Sequence, residues 1–159
     1  FKTPSGKIEF FSEAIAALGV DPLPAFVPPI ESRHTKQSAY PLEFLPRKAD
    51  HYMNSTFANL HGHQLMEAAH TNRLEIHTSD AAARGICEGD TIEIFNDRGV
   101  LRMTAHVNGS VSPGVVASRL NWNKLSPGGH NVNLLTSQQL TDFGGGPTFY
   151  STLVEVRKV

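Results

Sequence analysis

The chain of 159 residues contains one cysteine, Cys87. A single thiol cannot build an internal disulfide framework, and it cannot hold an iron–sulfur cluster alone. Excess charge of either sign is also missing: 14 Lys and Arg face 15 Asp and Glu, for a formal net charge of −1. Both signs are interspersed and no basic stripe stands out, so nucleic acid is not an expected partner. No apolar run approaches the roughly 18 residues of a spanning helix, and no membrane insertion by this segment is expected. Phe1 opens the chain without methionine, charged n-region or apolar h-region. The expectation is a piece of a longer polypeptide, whose compartment stays open.

What is present describes one globular domain. A hydrophobic fraction of 40% and a charged fraction of 18% suit a chain able to bury one core. Residues 1–38 are expected to form a leader arm or linker from a preceding domain. Pro22, Pro24, Pro28 and Pro29 forbid a regular element there. Within the arm Ser12 is placed to cap a short helix from Glu13 to Leu18, ended by Gly19. Residues 39–159 are expected to hold the core. Its reading is a strand over Tyr40–Leu45, a polar loop from Pro46 to about His63, and an alternating strand at Leu74–His77. A short helix follows, capped by Ser79 and ended by Gly85, then a strand from Thr91 to Phe95. Asn96-Asp97-Arg98-Gly99 reads as a hairpin turn into a strand that alternates at Leu101, Met103, Ala105 and Val107. Val115–Ala117 and Thr152–Val159 are the last strands, separated by a polar stretch from Asn121 to Gly146. The fold class is mainly β with short helices, a small closed barrel.

Several motifs point to less chemistry than they first suggest. Ser5-Gly6-Lys7 lacks the upstream glycine of a phosphate loop, and Ile8 stands where Ser or Thr is needed. His61, His63 and His70 have a generic spacing and fall short of the three or four convergent ligands of a zinc site. No Gly-x-Ser-x-Gly elbow is present. Cys87, just past a helix, is read as a core or near-core residue with an ordinary thiol. Gly144-Gly145-Gly146 opens no helix after a strand, and is read as a tight path past a neighbour or ligand.

The two long polar loops are different, because loops of that length in a small domain are functional or disordered. The first carries Arg47, His51, Tyr52, Asn54, Ser55, Thr56 and Asn59. The second carries Asn121, Trp122, Asn123, Asn131, Asn133, Thr136 and Ser137. Cation, imidazole, hydroxyl and amide groups together suit phosphate oxygens and the polar edge of a heterocycle. Solvated loops with local Asn and Ser turns would have the same composition. From the residues alone both readings stand.

Taken in order, the segments resemble a family. Phe1–Phe10 (FKTPSGKIEF), Asp21-Pro22-Leu23-Pro24, Pro28-Pro29 and Tyr40-Pro41-Leu42 are similar to the approach to the last domain of molybdopterin oxidoreductases of the dimethyl-sulfoxide-reductase superfamily. His51–Thr56 (HYMNST) resembles the first cofactor loop of that domain. Asp80–Ile86, Glu88-Gly89-Asp90 and Asn96–Gly99 resemble its helix and hairpin, while Asn133–Thr136 and Tyr150–Val156 resemble its closing segment. The likeness runs over essentially the whole chain. It implies a double-psi β-barrel that binds molybdopterin guanine dinucleotide with molybdenum or tungsten and helps enclose an active site. Carried over by position, it sets Arg47, His51, Asn54, Ser55 and Thr56 along the pterin and phosphate side, with Asn121, Trp122, Asn133 and Tyr150 from the later loops. In the family the protein ligand to the metal and the iron–sulfur cysteines lie in other domains or subunits, and neither is found here. The resemblance therefore implies a cofactor-binding part of an oxidoreductase that is not catalytic alone. Its partners would be preceding domains of the same chain and an iron–sulfur electron-transfer subunit. Two other readings compete. One is a free-standing double-psi barrel acting as a recognition module without cofactor. The other is a self-processing decarboxylase, for which Gly109-Ser110 offers only a hairpin-turn dipeptide.

Overall fold

The computed structural model describes residues 1–23, 25–34, 39–119 and 127–159. Six strands, β1 (Leu42–Arg47), β2 (Arg73–His77), β3 (Thr91–Asn96), β4 (Gly99–Asn108), β5 (Val115–Arg119) and β6 (Leu153–Lys158), form a closed barrel. Their order around it is β1-β5-β2-β4-β3-β6. β1 with β5 and β2 with β4 are parallel, and the remaining neighbours are antiparallel. This mainly β barrel with few short helices is the expected class, and its two parallel pairs of non-consecutive strands agree with the double-psi reading.

Alternation decides which side chains enter the core. Ile92 and Ile94 on β3 and Leu101, Met103 and Ala105 on β4 point inward and are buried. They meet Leu42 and Phe44 of β1, Leu74 and Ile76 of β2, Val116 of β5, and Val154 and Val156 of β6. Fully burying one such side chain contributes roughly 1.5–3 kcal/mol. The hairpin register runs from Thr91 opposite Thr104 to Asn96 opposite Gly99, as the turn residues predict. Gly99 makes room there for a neighbour: a Cβ would come within 2.5 Å of Leu134 Cγ and force that side chain to shift.

β1 begins at Leu42, not Tyr40, and runs through Pro46 to Arg47. Proline survives in this strand because of the side on which its missing donor falls. Glu43 N donates to Gly114 O toward β5, whereas Phe44 N donates to Thr152 O on the other side. Pro46 would face the same side as Phe44, where the β6 ladder has already ended at Leu42 and Glu43. The loop expected to reach His63 is interrupted by helix α2 (His61–Glu67). With α1 (Glu13–Ala16) and α3 (Thr78–Ala82) it makes three short α-helices among the described residues.

α1 is capped as its sequence suggests, Ser12 Oγ accepting from Ile15 N. In α3 the expected cap is wrong by two residues. His77 is the N-cap, its ring nitrogen accepting from Ser79 N at 3.2 Å, and Ser79 lies inside the helix. Gly85 ends that turn with φ of 63°. Cys87 is exposed, not part of the core, because its neighbour Ile86 takes the buried position in this turn. In the arm, Phe1, Phe10 and Phe26 are exposed, but residues 31–33 touch the barrel. Glu31 accepts from both terminal guanidinium nitrogens of Arg98 at 2.6 and 2.8 Å and from Leu153 N. Arg33 donates to Pro113 O.

Candidate functional site

Because β1 and β5 are parallel and end together at Arg47 and Arg119, the chain leaving each starts from the same end of the barrel. The segment entering β6 arrives there too, alongside Phe44. The convergence makes a cleft of about 630 Å³. Asn54 and Ser55 line it from the first loop, and Asn131, Asn133, Thr136, Ser137 and Gln138 from the later one. Val132, Pro147 and Phe149 add apolar surface.

Local structure sets both rims. Asn54 has φ of 54°, a left-handed conformation that asparagine accepts more readily than most residues. Across the cleft Asn131 caps a 3-10 turn, Val132–Leu134, by accepting from Asn133 N at 2.9 Å. Val132 and Leu135 are buried in the core, which ties this rim to the barrel. Asn96, buried at the hairpin, donates to Leu135 O and Leu153 O, so the turn and the start of β6 hang on one amide.

Among the described residues the lining carries amides and hydroxyls but no carboxylate. Such a set pairs with a heterocycle edge and with phosphate oxygens, and places no fixed negative charge against an anion. The donor chemistry, the apolar patch and the volume fit a dinucleotide bearing a fused heterocycle.

Behind the first rim lies a buried carboxylate, Glu67, 1% exposed. It accepts from His51 N at 2.8 Å and faces Arg119 at 3.2 Å, while Arg119 also reaches Asp50 at 2.7 Å. Tyr52, on the loop between them, is buried, and its hydroxyl has no hydrogen-bond partner among the described residues. Burial pushes that phenol's pKa up, and the Glu67 charge raises it further.

The sequence-derived site residues divide accordingly. Asn54, Ser55 and Asn133 come together around the cleft. Arg47, His51, Thr56 and Tyr150 lie outside its lining. Arg47 is paired with Glu75, and its Nε is buried with no partner among the described residues. His51 is held through its backbone, Thr56 exchanges backbone hydrogen bonds with Met53, and Tyr150 packs on Phe149 at 4.1 Å between centroids. Asn121 and Trp122 lie outside the described residues. Sequence reasoning overlooked Gln138, Phe149 and above all Glu67. Only one signal could have exposed Glu67, a lone acid in an otherwise uncharged helix between two loops. No group of three or more His, Cys, Asp or Glu able to hold a metal occurs among the described residues.

Residues 42–153 match the family model described as the molydopterin dinucleotide binding domain. Over 157 residues the chain is 38% identical to the probable oxidoreductase YoaE of Bacillus subtilis (strain 168), covering 99% of this chain and 22% of that protein. It is 34% identical over 174 residues to the dimethyl sulfoxide reductase DmsA of Escherichia coli (strain K12), covering 99% of this chain and 21% of that one. The chain thus spans about a fifth of the length of these curated relatives. Among solved structures, acetylene hydratase from Pelobacter acetylenicus superposes with a TM-score of 0.79 at 22% identity, over 99% of this chain and 24% of that one. At that identity the likeness speaks for the fold.

Proposed function

This chain belongs to the molybdopterin dinucleotide-binding domain family, and from that premise we propose that its cleft holds the dinucleotide of a guanine-type molybdopterin cofactor within a larger oxidoreductase. The single observation that carries the reading is the convergence of Asn54 and Ser55 with Asn131, Asn133, Thr136, Ser137 and Gln138 around one cleft that has no carboxylate among the described residues. The amides would pair with the polar edge of the base or pterin, and the hydroxyls would take phosphate oxygens. Arg47, His51, Thr56 and Tyr150, together with Asn121 and Trp122, would extend this set toward the rest of the cofactor. When bound, such a cofactor supplies the redox chemistry of a molybdenum or tungsten centre. The residues of this chain bind it, orient it and exclude water from one side.

The barrel would act with other domains of the same polypeptide. Support comes from the relatives, each about five times the length matched here, and from the exposed Phe1, Phe10 and Phe26 of the arm, an apolar surface suited to burial against a neighbour. Residues 1–38 would then link and dock, with 39–159 forming the binding unit. An iron–sulfur electron-transfer subunit would be met through those other domains. A free-standing recognition barrel is not favoured, since the family model is one of dinucleotide binding and the match to much longer oxidoreductase relatives covers 99% of the chain.

The test is the parent protein, purified anaerobically and assayed for metal content and for fluorescence of the oxidised pterin. Stoichiometric molybdenum or tungsten with a guanine-containing pterin is expected. Replacing Asn54 and Asn133 together with Ala is expected to lower retained pterin about tenfold. Wild-type retention in that double variant would sink the reading.

A further inference from the structure

Helix α2 is placed in an unusual way. Its one buried residue is Glu67, whereas Leu65 and Met66 are exposed. A seven-residue helix is too short to persist on its own propensity. Apolar burial does not hold it here, so polar contacts must.

Three of those contacts go to the preceding loop. Glu67 Oε1 accepts from His51 N at 2.8 Å, and His63 Nδ1 lies 2.7 Å from His51 O. Gln64 Nε2 donates to Ala58 O at 2.9 Å, and the His63 ring stacks on Phe57 at 5.3 Å. His63, Gln64 and Glu67 stand at positions i, i+1 and i+4, and so share a face of the helix. Between His51 and Ala58 lie Asn54 and Phe57, both at positive φ, 54° and 71°. For Phe57 that conformation is costly and persists only where its surroundings over-determine it.

The carboxylate then reaches beyond the loop. Arg119, the last residue of β5, sits between Glu67 and Asp50 at 3.2 and 2.7 Å. The first loop is thereby tied to the end of β5, the strand that pairs in parallel with β1. A buried ion pair is a poor source of net stability, because desolvation offsets the attraction, but it specifies one geometry. An apolar residue at position 67 would leave His51 N without its acceptor and the Arg119 guanidinium with Asp50 alone.

We propose that Glu67 is a positioning residue for the cofactor cleft: with His63 and Gln64 it makes α2 a splint that fixes the Asn54–Ser55 rim, and through Arg119 it sets that rim relative to the barrel end. The proposal rests on the cofactor reading above. It assigns Glu67 no contact with the ligand, and its effect on binding passes through Asn54 and Ser55.

The experiment uses the full-length, cofactor-loaded parent protein in wild-type, Glu67→Gln and Asn133→Ala forms. Two quantities are read: the rate of pterin release into filtrate, by fluorescence of the oxidised pterin, and backbone hydrogen exchange by mass spectrometry. Glu67→Gln keeps an acceptor for His51 N and deletes the charge facing Arg119. It is expected to speed exchange at residues 51–60 and to raise pterin release about tenfold, leaving exchange in β2, β3 and β4 unchanged. A residue that merely stabilised the fold would speed exchange in the strands as well, and that result would overturn the proposal. Wild-type exchange at 51–60, or wild-type release from Glu67→Gln while Asn133→Ala releases fast, would overturn it and leave the cofactor reading standing. Wild-type release from both variants would remove the cofactor reading and this proposal with it. Should Glu67→Gln fail to fold, His63→Ala combined with Gln64→Ala removes the other splint contacts at partly exposed positions and is judged by the same outcomes.

Discussion

In the β3–β4 hairpin, Ile92, Ile94, Leu101, Met103 and Ala105 are buried, and the strands are paired from Thr91–Thr104 to Asn96–Gly99. In the segment 51–67, only Tyr52, Ala58 and Glu67 are buried. There the shape is kept by side chains of one helix gripping the backbone of the preceding loop. The hairpin is held by area removed from water, which is non-directional and tolerant of small shifts. The loop is held by directional bonds whose loss changes geometry before it changes overall stability. A ligand-binding rim needs positional accuracy more than bulk stability, and the second kind of support provides it.

This contrast is sharpest in what single substitutions should do. Ile94→Ala removes a fully buried side chain from the hairpin and is expected to cost about 2–5 kcal/mol, read as a lower denaturant midpoint at unchanged slope. A cost within about 0.5 kcal/mol would mean that the two regions are not held differently after all.

An intermediate case is Glu31, where an arm residue is tied to the barrel by charge. Burial pushes its carboxyl up, but hydrogen bonds from Arg98 and from Leu153 N, with the Arg98 charge, outweigh that and hold it below its ordinary value of 4.5. A carboxylate with a lowered folded pKa contributes stability that is complete above the unfolded value and is lost as pH falls through the folded one. Glu31→Gln is therefore expected to lower stability by about 1 kcal/mol or less at neutral pH, and to flatten its decline below pH 4.5. Unfolding midpoints measured across pH 3–7 (roughly the span of carboxylate titration) check this. An unchanged acid limb would show that the arm contact is not coupled to folding. The smallest effect is expected at Cys87, which is exposed before β3. Cys87→Ser should stay within about 0.5 kcal/mol of wild type by the same denaturation measurement, and a larger loss would return that residue to the core.

The hairpin was legible because its information is local. Asn96–Gly99 is turn chemistry, and the period of two in Leu101, Met103 and Ala105 names the buried face without reference to any other strand. Helix α2 was not legible, because apolar periodicity is what reveals a helix and its apolar residues, Leu65 and Met66, face outward. The cap of α3 was misread for a related reason. Ser79 has the favoured side chain, but His77 has the extended backbone that a cap requires.

Of the residues that the two loops offered by type, Asn54, Ser55 and Asn133 line the cleft. Amide-rich loops following strands carry that signal in their composition. Nothing in composition sorts Asn54 from Arg47, whose guanidinium is taken up by Glu75 on a neighbouring part of the barrel. The fold class, the hairpin and the family resemblance were thus determined by the sequence alone, since propensity, turn chemistry and period-two alternation act within a few residues. The tertiary structure alone decided that two loops about 80 positions apart share one cleft, and that a glutamate would be the buried anchor of one of them. Both follow from the parallel pairing of β1 with β5. Alternation tells each strand which face to bury, but it says nothing about which strand will lie beside it.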